Sequence, residues 1–354
     1  MREALELALK GIGKTSPNPA VGCVIVKNGK IIGRGYHKKA GKPHAEINAM
    51  RDAKRNKKDV RGATMYVTLE PCCFYGRTPP CTKAIINAGI QRVVAAMKDP
   101  NPKVAGKGFK ELRKASIEVK SGVLEEDAKE INEAYIKFMT TGLPFVIAKA
   151  ALSADGKMAA KRGALKWITG EKARLEGRKL RALVDAVIVG ANTVVKDNPR
   201  LTCRVKGCRN PKRVIVDARL IINEKSKVFN KEAETIVATT SKAPKKKIAA
   251  LKKRGANVLV IGNGDRVDLK KLLKELASME VTSIMIEGGG KLLGSAFDAG
   301  IVDKVIFFIT PKIIGPGISI ESKAFKTIDD AFRLKDIEMM PIGEDLMIVG
   351  YPRK

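Results

Sequence analysis

The sequence predicts an α/β protein of two domains. Apolar runs of strand length alternate with helical patterns along most of the chain. The 354 residues exceed what one hydrophobic core usually serves. A Thr-Thr-Gly-Leu-Pro stop at residues 140–144 separates two alternating series and sets the expected boundary, with domains over 1–143 and 144–354. Composition agrees: 44% hydrophobic and 30% charged residues suit a soluble globular chain. No stretch reaches the ~18 unbroken apolar residues of a membrane span. Glu3 and Glu6 interrupt any apolar core of a secretory signal, so a cytoplasmic protein is expected.

Taken in order, Leu5, Ala8, Leu9 and Ile12 recur at helical spacing. Two apolar runs flank Lys27-Asn28-Gly29-Lys30, and Asn-Gly between such runs marks a hairpin, because both turn residues must accept positive φ. Residues 44–56 read as a helix and Thr64–Leu69 as a buried strand. Pro79-Pro80 opens a helix through Ala88, since proline suits a first turn. Arg92–Met97 is a further strand, and 122–142 reads as one helix. Beyond the boundary, strands are expected at Phe145–Ala150, Ala186–Val189, Arg213–Val216, Thr235–Ala238, Asn257–Ile261 and Ile284–Ile286. Helices are expected at 171–183, 244–254, 268–278 and 291–300.

The sharpest chemical signal is His44-Ala45-Glu46, followed by Pro71-Cys72 and then Cys81. One imidazole and two thiolates suit a tetrahedral zinc site whose fourth position is left for water. Zinc lowers the pKa of that water toward neutrality. Glu46, two residues after the histidine, is placed to carry the water proton to a departing amine. Cys81 falls in a first helical turn, where the dipole favours thiolate. Cys72 sits past the end of a strand, where ligands of α/β sheets gather. The arrangement is the zinc-deaminase signature, except that eight residues rather than two separate the cysteines. A closed zinc site would need a fourth ligand, and Cys73, adjacent to Cys72, is poorly placed to be it. Cys23 reads as a buried strand residue and His37 as a surface histidine.

The segment Cys72-Cys73-Phe74-Tyr75-Gly76-Arg77-Thr78-Pro79-Pro80-Cys81 resembles that of the deaminases of riboflavin biosynthesis, with Cys73-Phe74 in place of the usual Ser-His. Pro17 to Val26 is similar to the same family's opening strand. That resemblance implies a cytidine-deaminase-like three-layer domain in which Asn18 contacts the substrate. Asn18-Pro19 also has a plainer reading as turn chemistry. Arg77 suits a ribose 5′-phosphate, since a guanidinium grips phosphate with paired hydrogen bonds, or else is a solvated loop residue.

In the second half, Ser283 to Glu287, Gly288-Gly289-Gly290 and Lys291-Leu292-Leu293 form a strand, a glycine turn and a helix start. Such a turn admits a pyrophosphate, but it is not Gly-x-Gly-x-x-Gly. Phe145 to Arg204 resembles the reductase of the same pathway, a relative of dihydrofolate reductase. The matching runs are Ser153 to Lys157, Trp167 to Gly170, Leu180 to Ala182, Gly190 to Val194 and Asp197 to Thr202. The resemblance implies a dihydrofolate-reductase-like α/β domain. It further implies that Ala151, Trp167, Thr193, Asp197 and the run Gly289, Gly290, Lys291, Leu292, Leu293, Gly294 and Ser295 bind NADPH. By the same route Leu165, Arg181, Leu201, Arg204 and Glu287 contact substrate. Arg181 and Arg204 suit a phosphorylated sugar, whereas Trp167 and Leu201 read more simply as core.

Together the resemblance covers nearly the whole chain and identifies it as a member of the bifunctional deaminase/reductase family. The implied chemistry is deamination of 2,5-diamino-6-ribosylamino-4(3H)-pyrimidinone 5′-phosphate at a zinc site. NADPH-dependent reduction of ribosyl to ribityl follows, giving 5-amino-6-ribitylamino-uracil 5′-phosphate. Family members are often dimers or tetramers, so a homo-oligomer is expected. The formal charge of +31 raises a rival, a nucleobase or tRNA deaminase with an accessory nucleotide-binding domain. However, basic residues are spread along the whole chain and aromatics are only 5%, so nucleic-acid binding is not expected.

Overall fold

A computed structural model describes residues 1–160, 167–324 and 327–353. They form two compact units, Met1–Leu143 and Pro144–Lys354. The first runs α1 (Arg2–Leu9), β1 (Gly22–Lys27), β2 (Lys30–Tyr36), α2 (Ala45–Arg55), β3 (Thr64–Leu69), α3 (Cys81–Asn87), β4 (Arg92–Met97), α4 (Lys107–Lys114), β5 (Glu118–Lys120), α5 (Glu125–Ile131) and α6 (Glu133–Thr141). Its sheet order is β2-β1-β3-β4-β5, with β1 antiparallel to both neighbours and β3, β4 and β5 parallel. Asn28 and Gly29 both take positive φ in the hairpin turn, as the sequence predicts.

Three layers follow from the strand faces. On one face Val24 packs with Ala4 and Leu7 of α1. On the other, Cys23 and Ile25 join the core that Ala45, Ala49 and Ile85 build from α2 and α3. Gly33 and Gly35 in β2 admit α2 at backbone contact. A Cβ on Gly35 would stand 2.3 Å from Ala49 N and 2.4 Å from Ala45 O. That close approach seats the start of α2, and with it His44 and Glu46, on the sheet.

The expected single helix over 122–142 is two. The chain breaks at Asn132, whose side chain accepts from Ala20 N–H (2.8 Å) and donates to Ala20 O (3.0 Å). A buried amide that clamps a distant loop outweighs one more helical turn here. The sequence reading also passed over α4 and β5.

The second unit runs β6 (Phe145–Ser153), β7 (Ala159–Ala160), α7 (Glu171–Leu183), β8 (Ala186–Gly190), α8 (Ala191–Asp197), β9 (Lys212–Val216), β10 (Thr235–Thr239), α9 (Lys245–Lys253), β11 (Asn257–Val260), α10 (Leu269–Ser278), β12 (Ser283–Glu287), α11 (Gly290–Asp298), β13 (Lys304–Thr310), β14 (Gly317–Ile318), β15 (Arg333–Ile342) and β16 (Asp345–Arg353). Among the described residues a nine-stranded sheet has the order β11-β10-β9-β8-β12-β6-β13-β16-β15. Strands β11 through β13 are parallel, and only β16, antiparallel to both β13 and β15, runs the other way. The carboxyl ends of β6, β8 and β12 therefore share one edge, the usual ligand side of such a sheet. Among the described residues, no helix is long and apolar enough to cross a membrane.

Candidate functional site

His44, Cys72 and Cys81 converge in the first unit, their ligand atoms all within 4.8 Å of one another. His44 is the extended residue before α2, Cys72 follows β3, and Cys81 opens α3 directly after Pro80. His44 Nδ1 lies 3.5 Å from Cys72 Sγ and 3.3 Å from Cys81 Sγ. Tetrahedral zinc with ordinary Zn–N and Zn–S bonds separates such ligands by about 3.6 Å, so both the spacing and the donor set fit zinc. His44 Nε2 meets Thr78 Oγ1 at 3.0 Å. With Nδ1 turned to the sulfurs, Nε2 carries the hydrogen and donates to the threonine, which fixes tautomer and ring plane. The Cys81 N–H donates to Cys72 Sγ (3.4 Å). Hydrogen bonding from Cys81, side chain first and backbone N–H with it, lowers the Cys72 thiol below its ordinary range. Cys73 lies outside the cluster.

Glu46 is 4% exposed beside these ligands. Burial pushes its carboxyl above the ordinary range, and the charge on Cys72 adds to this against the opposing pull of His44. A carboxyl tuned upward in this way holds a proton more readily, as a proton carrier must.

Asn18 and His37 meet at the same end of the unit. Asn18 Nδ2 lies 3.1 Å from His37 Nε2, and His37 Nδ1 lies 3.2 Å from Pro43 O. The His37 ring stands edge-on to that of His44, centroids 5.1 Å apart. The expectation of a surface histidine is therefore wrong. His37 is 2% exposed because the chain continues β2, with His37 N–H donating to Val21 O, and turns the ring inward. Arg77 is exposed on the loop between Cys72 and Cys81, where Lys83 lies over the Tyr75 ring and Lys103 over Phe74.

In the second unit Glu287 ends β12 between two cations. Arg181 Nε donates to Oε2 (2.8 Å) and Lys149 Nζ lies 3.3 Å from Oε1. Despite near-complete burial, which alone would raise it, Arg181 and Lys149 pull the Glu287 carboxyl down to about 2. Arg181 also donates through Nη1 to Thr202 O (3.0 Å), and neither bond uses Nη2. Arg204 adopts φ +58. Partial burial and the nearby charges of Arg181, Arg178 and Arg200 lower its pKa. Arg181 and Arg178 beside Arg204, with Arg200 paired to Glu232, outweigh the single charge of Glu287 and leave a net positive field suited to phosphate. Sequence reasoning missed Lys149, Arg178 and Thr78.

The other positions are dispersed along the carboxyl edge. Thr193 Oγ1 accepts from Gly289 N–H (3.4 Å), joining the ends of β8 and β12. Ala151 lies in β6 opposite Phe308, and Asp197 ends α8. Trp167 is 55% exposed under Arg174, contrary to its reading as core. Leu201 does pack into the core. Leu165 lies outside the described residues. In α11, Gly290, Leu292, Leu293 and Gly294 are buried, Lys291 is exposed and Ser295 half-buried. A Cβ on Gly290 would fall 1.7 Å from Ser319 O, and one on Gly294 1.8 Å from Glu321 O. These glycines let residues 319–321 lie on the helix. A cavity of about 620 Å³ opens against that segment, lined by Lys157, Gly315 and Ser319 among others. An uncapped helix start and a shared carboxyl edge suit a phosphate-bearing cofactor.

Comparison with known proteins matches residues 1–97 to the cytidine and deoxycytidylate deaminase zinc-binding region and residues 144–348 to the RibD C-terminal domain. The riboflavin biosynthesis protein RibD of Aquifex aeolicus is 46% identical, covering 98% of this chain and 96% of that protein. That of Escherichia coli is 37% identical, covering 98% and 97%. Among solved structures, a diaminohydroxyphosphoribosylaminopyrimidine deaminase/5-amino-6-(5-phosphoribosylamino)uracil reductase of Thermotoga maritima aligns with TM-score 0.88 at 39% identity. It covers 100% of this chain and 97% of that one. RibD of Acinetobacter baumannii aligns with TM-score 0.90 at 38% identity, covering 100% and 98%.

Proposed function

The chain belongs to the RibD family of riboflavin biosynthesis proteins, and on that premise we propose how its own residues divide the two reactions. It is a deaminase that uses zinc and a reductase that uses NADPH. The substrate is 2,5-diamino-6-ribosylamino-4(3H)-pyrimidinone 5′-phosphate, as the name of the Thermotoga maritima relative supports. Residues 1–143 carry out the deamination and 144–354 the reduction to 5-amino-6-ribitylamino-uracil 5′-phosphate.

The observation that carries this reading is a buried, upward-shifted Glu46 against a His44–Cys72–Cys81 ligand set. These three residues hold zinc, which when bound makes water nucleophilic near neutral pH. Glu46 takes a proton from the attacking water and returns it to the departing amine. Asn18 and Arg77 hold the pyrimidine and its phosphate.

NADPH, when bound, supplies the hydride. Ala151, Trp167, Thr193, Asp197 and residues 289–295 hold it. Glu287, kept ionised by Arg181 and Lys149, accepts hydrogen bonds from the substrate, and Arg204 with the remaining face of Arg181 binds its phosphate. Leu201 contacts substrate through its backbone, since its side chain is in the core.

The match of the RibD C-terminal domain over residues 144–348 disposes of the rival tRNA-deaminase reading, which gives that half no such activity. The six free cysteines suit the reducing cytoplasm. Ile337 and Met339, exposed on the edge strand β15, support a homo-oligomer. The test is a coupled assay following ammonia release and NADPH oxidation on the pyrimidinone substrate. Both signals should appear, and a chelator should remove the ammonia signal. Ammonia without NADPH oxidation would leave the second unit without its assigned role.

A further inference from the structure

We propose that His37 is a positioning residue for deamination, locking the Asn18 amide in the one orientation that offers its carbonyl oxygen to the substrate. The proposal rests on the assignment of Asn18 to the substrate site.

The argument is one of hydrogen-bond capacity. Pro43 O, 3.2 Å from His37 Nδ1, can only accept. Nδ1 therefore carries the hydrogen, and in the neutral ring Nε2 is left as an acceptor. The Asn18 amide group facing Nε2 at 3.1 Å must then be its NH2. Turning the amide over would set two lone-pair atoms against each other. Asn18 Oδ1 is thus turned away from His37 and free to meet a ligand, and the group that this oxygen recognises must be a donor. A ring N–H or an exocyclic amine fits, as an aminopyrimidine presents, and a carbonyl does not. The buried ring cannot be replaced by water, so the selection is built into the fold rather than left to side-chain rotation.

His37 leans on the same carbonyl that leads into the metal ligand, since Pro43 precedes His44. That carbonyl has a second donor, Asn48 Nδ2 at 3.1 Å, which also bonds Tyr36 O at 2.8 Å. The backbone entering His44 therefore stays anchored when His37 is changed, and zinc loading separates from substrate recognition.

The experiment uses the zinc-loaded full chain and the pyrimidinone substrate, with ammonia release as readout and zinc content measured alongside. His37→Leu should raise the deamination KM by about ten- to a hundredfold, the range set by one misdirected buried hydrogen bond. Its kcat should change little, with one zinc per chain kept and NADPH-dependent reduction unaltered. His37→Gln, whose side-chain oxygen can accept from Asn18, should recover most of the loss. On an Asn18→Ala background His37→Leu should add nothing. Additive effects, or zinc loss in His37→Leu that glutamine does not repair, would overturn the positioning role. Wild-type KM in Asn18→Ala would remove Asn18 from the substrate site and the proposal with it. An impaired Asn18→Ala beside a normal His37→Leu would overturn the lock alone.

Discussion

Replacing Glu287 by Gln removes the carboxylate that Arg181 and Lys149 share, at 2.8 and 3.3 Å, in a site where its side chain is 11% exposed. The carboxyl is drawn from its ordinary 4.5 to about 2. That displacement corresponds to about 3 kcal/mol of native-state stabilisation of the charged form. Leaving two nearly buried cations without their partner points the same way, at about 3–5 kcal/mol. Because the folded pKa is depressed, the stabilisation is present above pH 4.5 and is lost as pH falls from there through about 2. The variant should therefore be less stable than wild type at pH 7 by about 3 kcal/mol, and the gap should close across the acid range. Urea unfolding followed by fluorescence tests this cleanly, since Trp167 is the only tryptophan and belongs to the second unit. Equal stability at pH 7, or a gap that does not change down to pH 3, would refute the claim that the two cations hold Glu287 ionised.

Other perturbations test other parts of the molecule. Glu46→Gln keeps the shape but removes the proton carrier, so deamination should fall by about 10²- to 10⁴-fold with zinc content and NADPH turnover intact. Retained ammonia release would end that role. Gly294→Ala places a methyl 1.8 Å from Glu321 O and 2.2 Å from its carbonyl carbon. Thermal stability should drop by about 1–3 kcal/mol and NADPH binding weaken, as a fluorescence titration would read; a silent substitution would show that residues 319–321 need not lie on α11. Asp99 is raised to about 6 by burial, against the Asn101 N–H and Tyr135 hydroxyl that its Oδ1 accepts. The folded state binds this proton more tightly, so its contribution to stability falls as pH rises from 3.8 through about 6. Asp99→Asn keeps both hydrogen bonds and should gain melting temperature relative to wild type over that window; parallel profiles would contradict it.

The elements read correctly from sequence are those whose pattern is local. Thr64–Leu69 and Arg92–Met97 are apolar runs ended by polar or turn residues, and Asn28-Gly29 states its own turn. Those missed draw on distant partners. α4 buries only Gly108, Phe109 and Leu112, too few for a helical stripe. β15 is exposed along most of its length and is a strand because β16 pairs with it. The break at Asn132 depends on Ala20, 112 residues away, which no window of sequence contains.

The site divides the same way. His44, Cys72 and Cys81 were legible because a metal demands particular atoms and few residue types supply them, and Glu46 because it stands two residues from the histidine. Their supports carry no such signature. Thr78 is one threonine of many until His44 Nε2 comes within 3.0 Å of it. Lys149 shows what kind of signal was available. It interrupts the apolar strand Phe145–Ser153, and Glu287 closes the apolar run of β12. In the parallel pairing of β12 with β6, Glu287 stands directly beside Lys149. A charged residue inside a buried strand needs a partner, since an unpaired one costs several kcal/mol. Lys149 alone therefore announces that some carboxylate lies near, and strand order decides which. The chemistry of this edge follows from that pairing: Arg181 reaches the same carboxylate from α7, and a charge pair internal to the sheet becomes a cluster of two cations on one carboxylate.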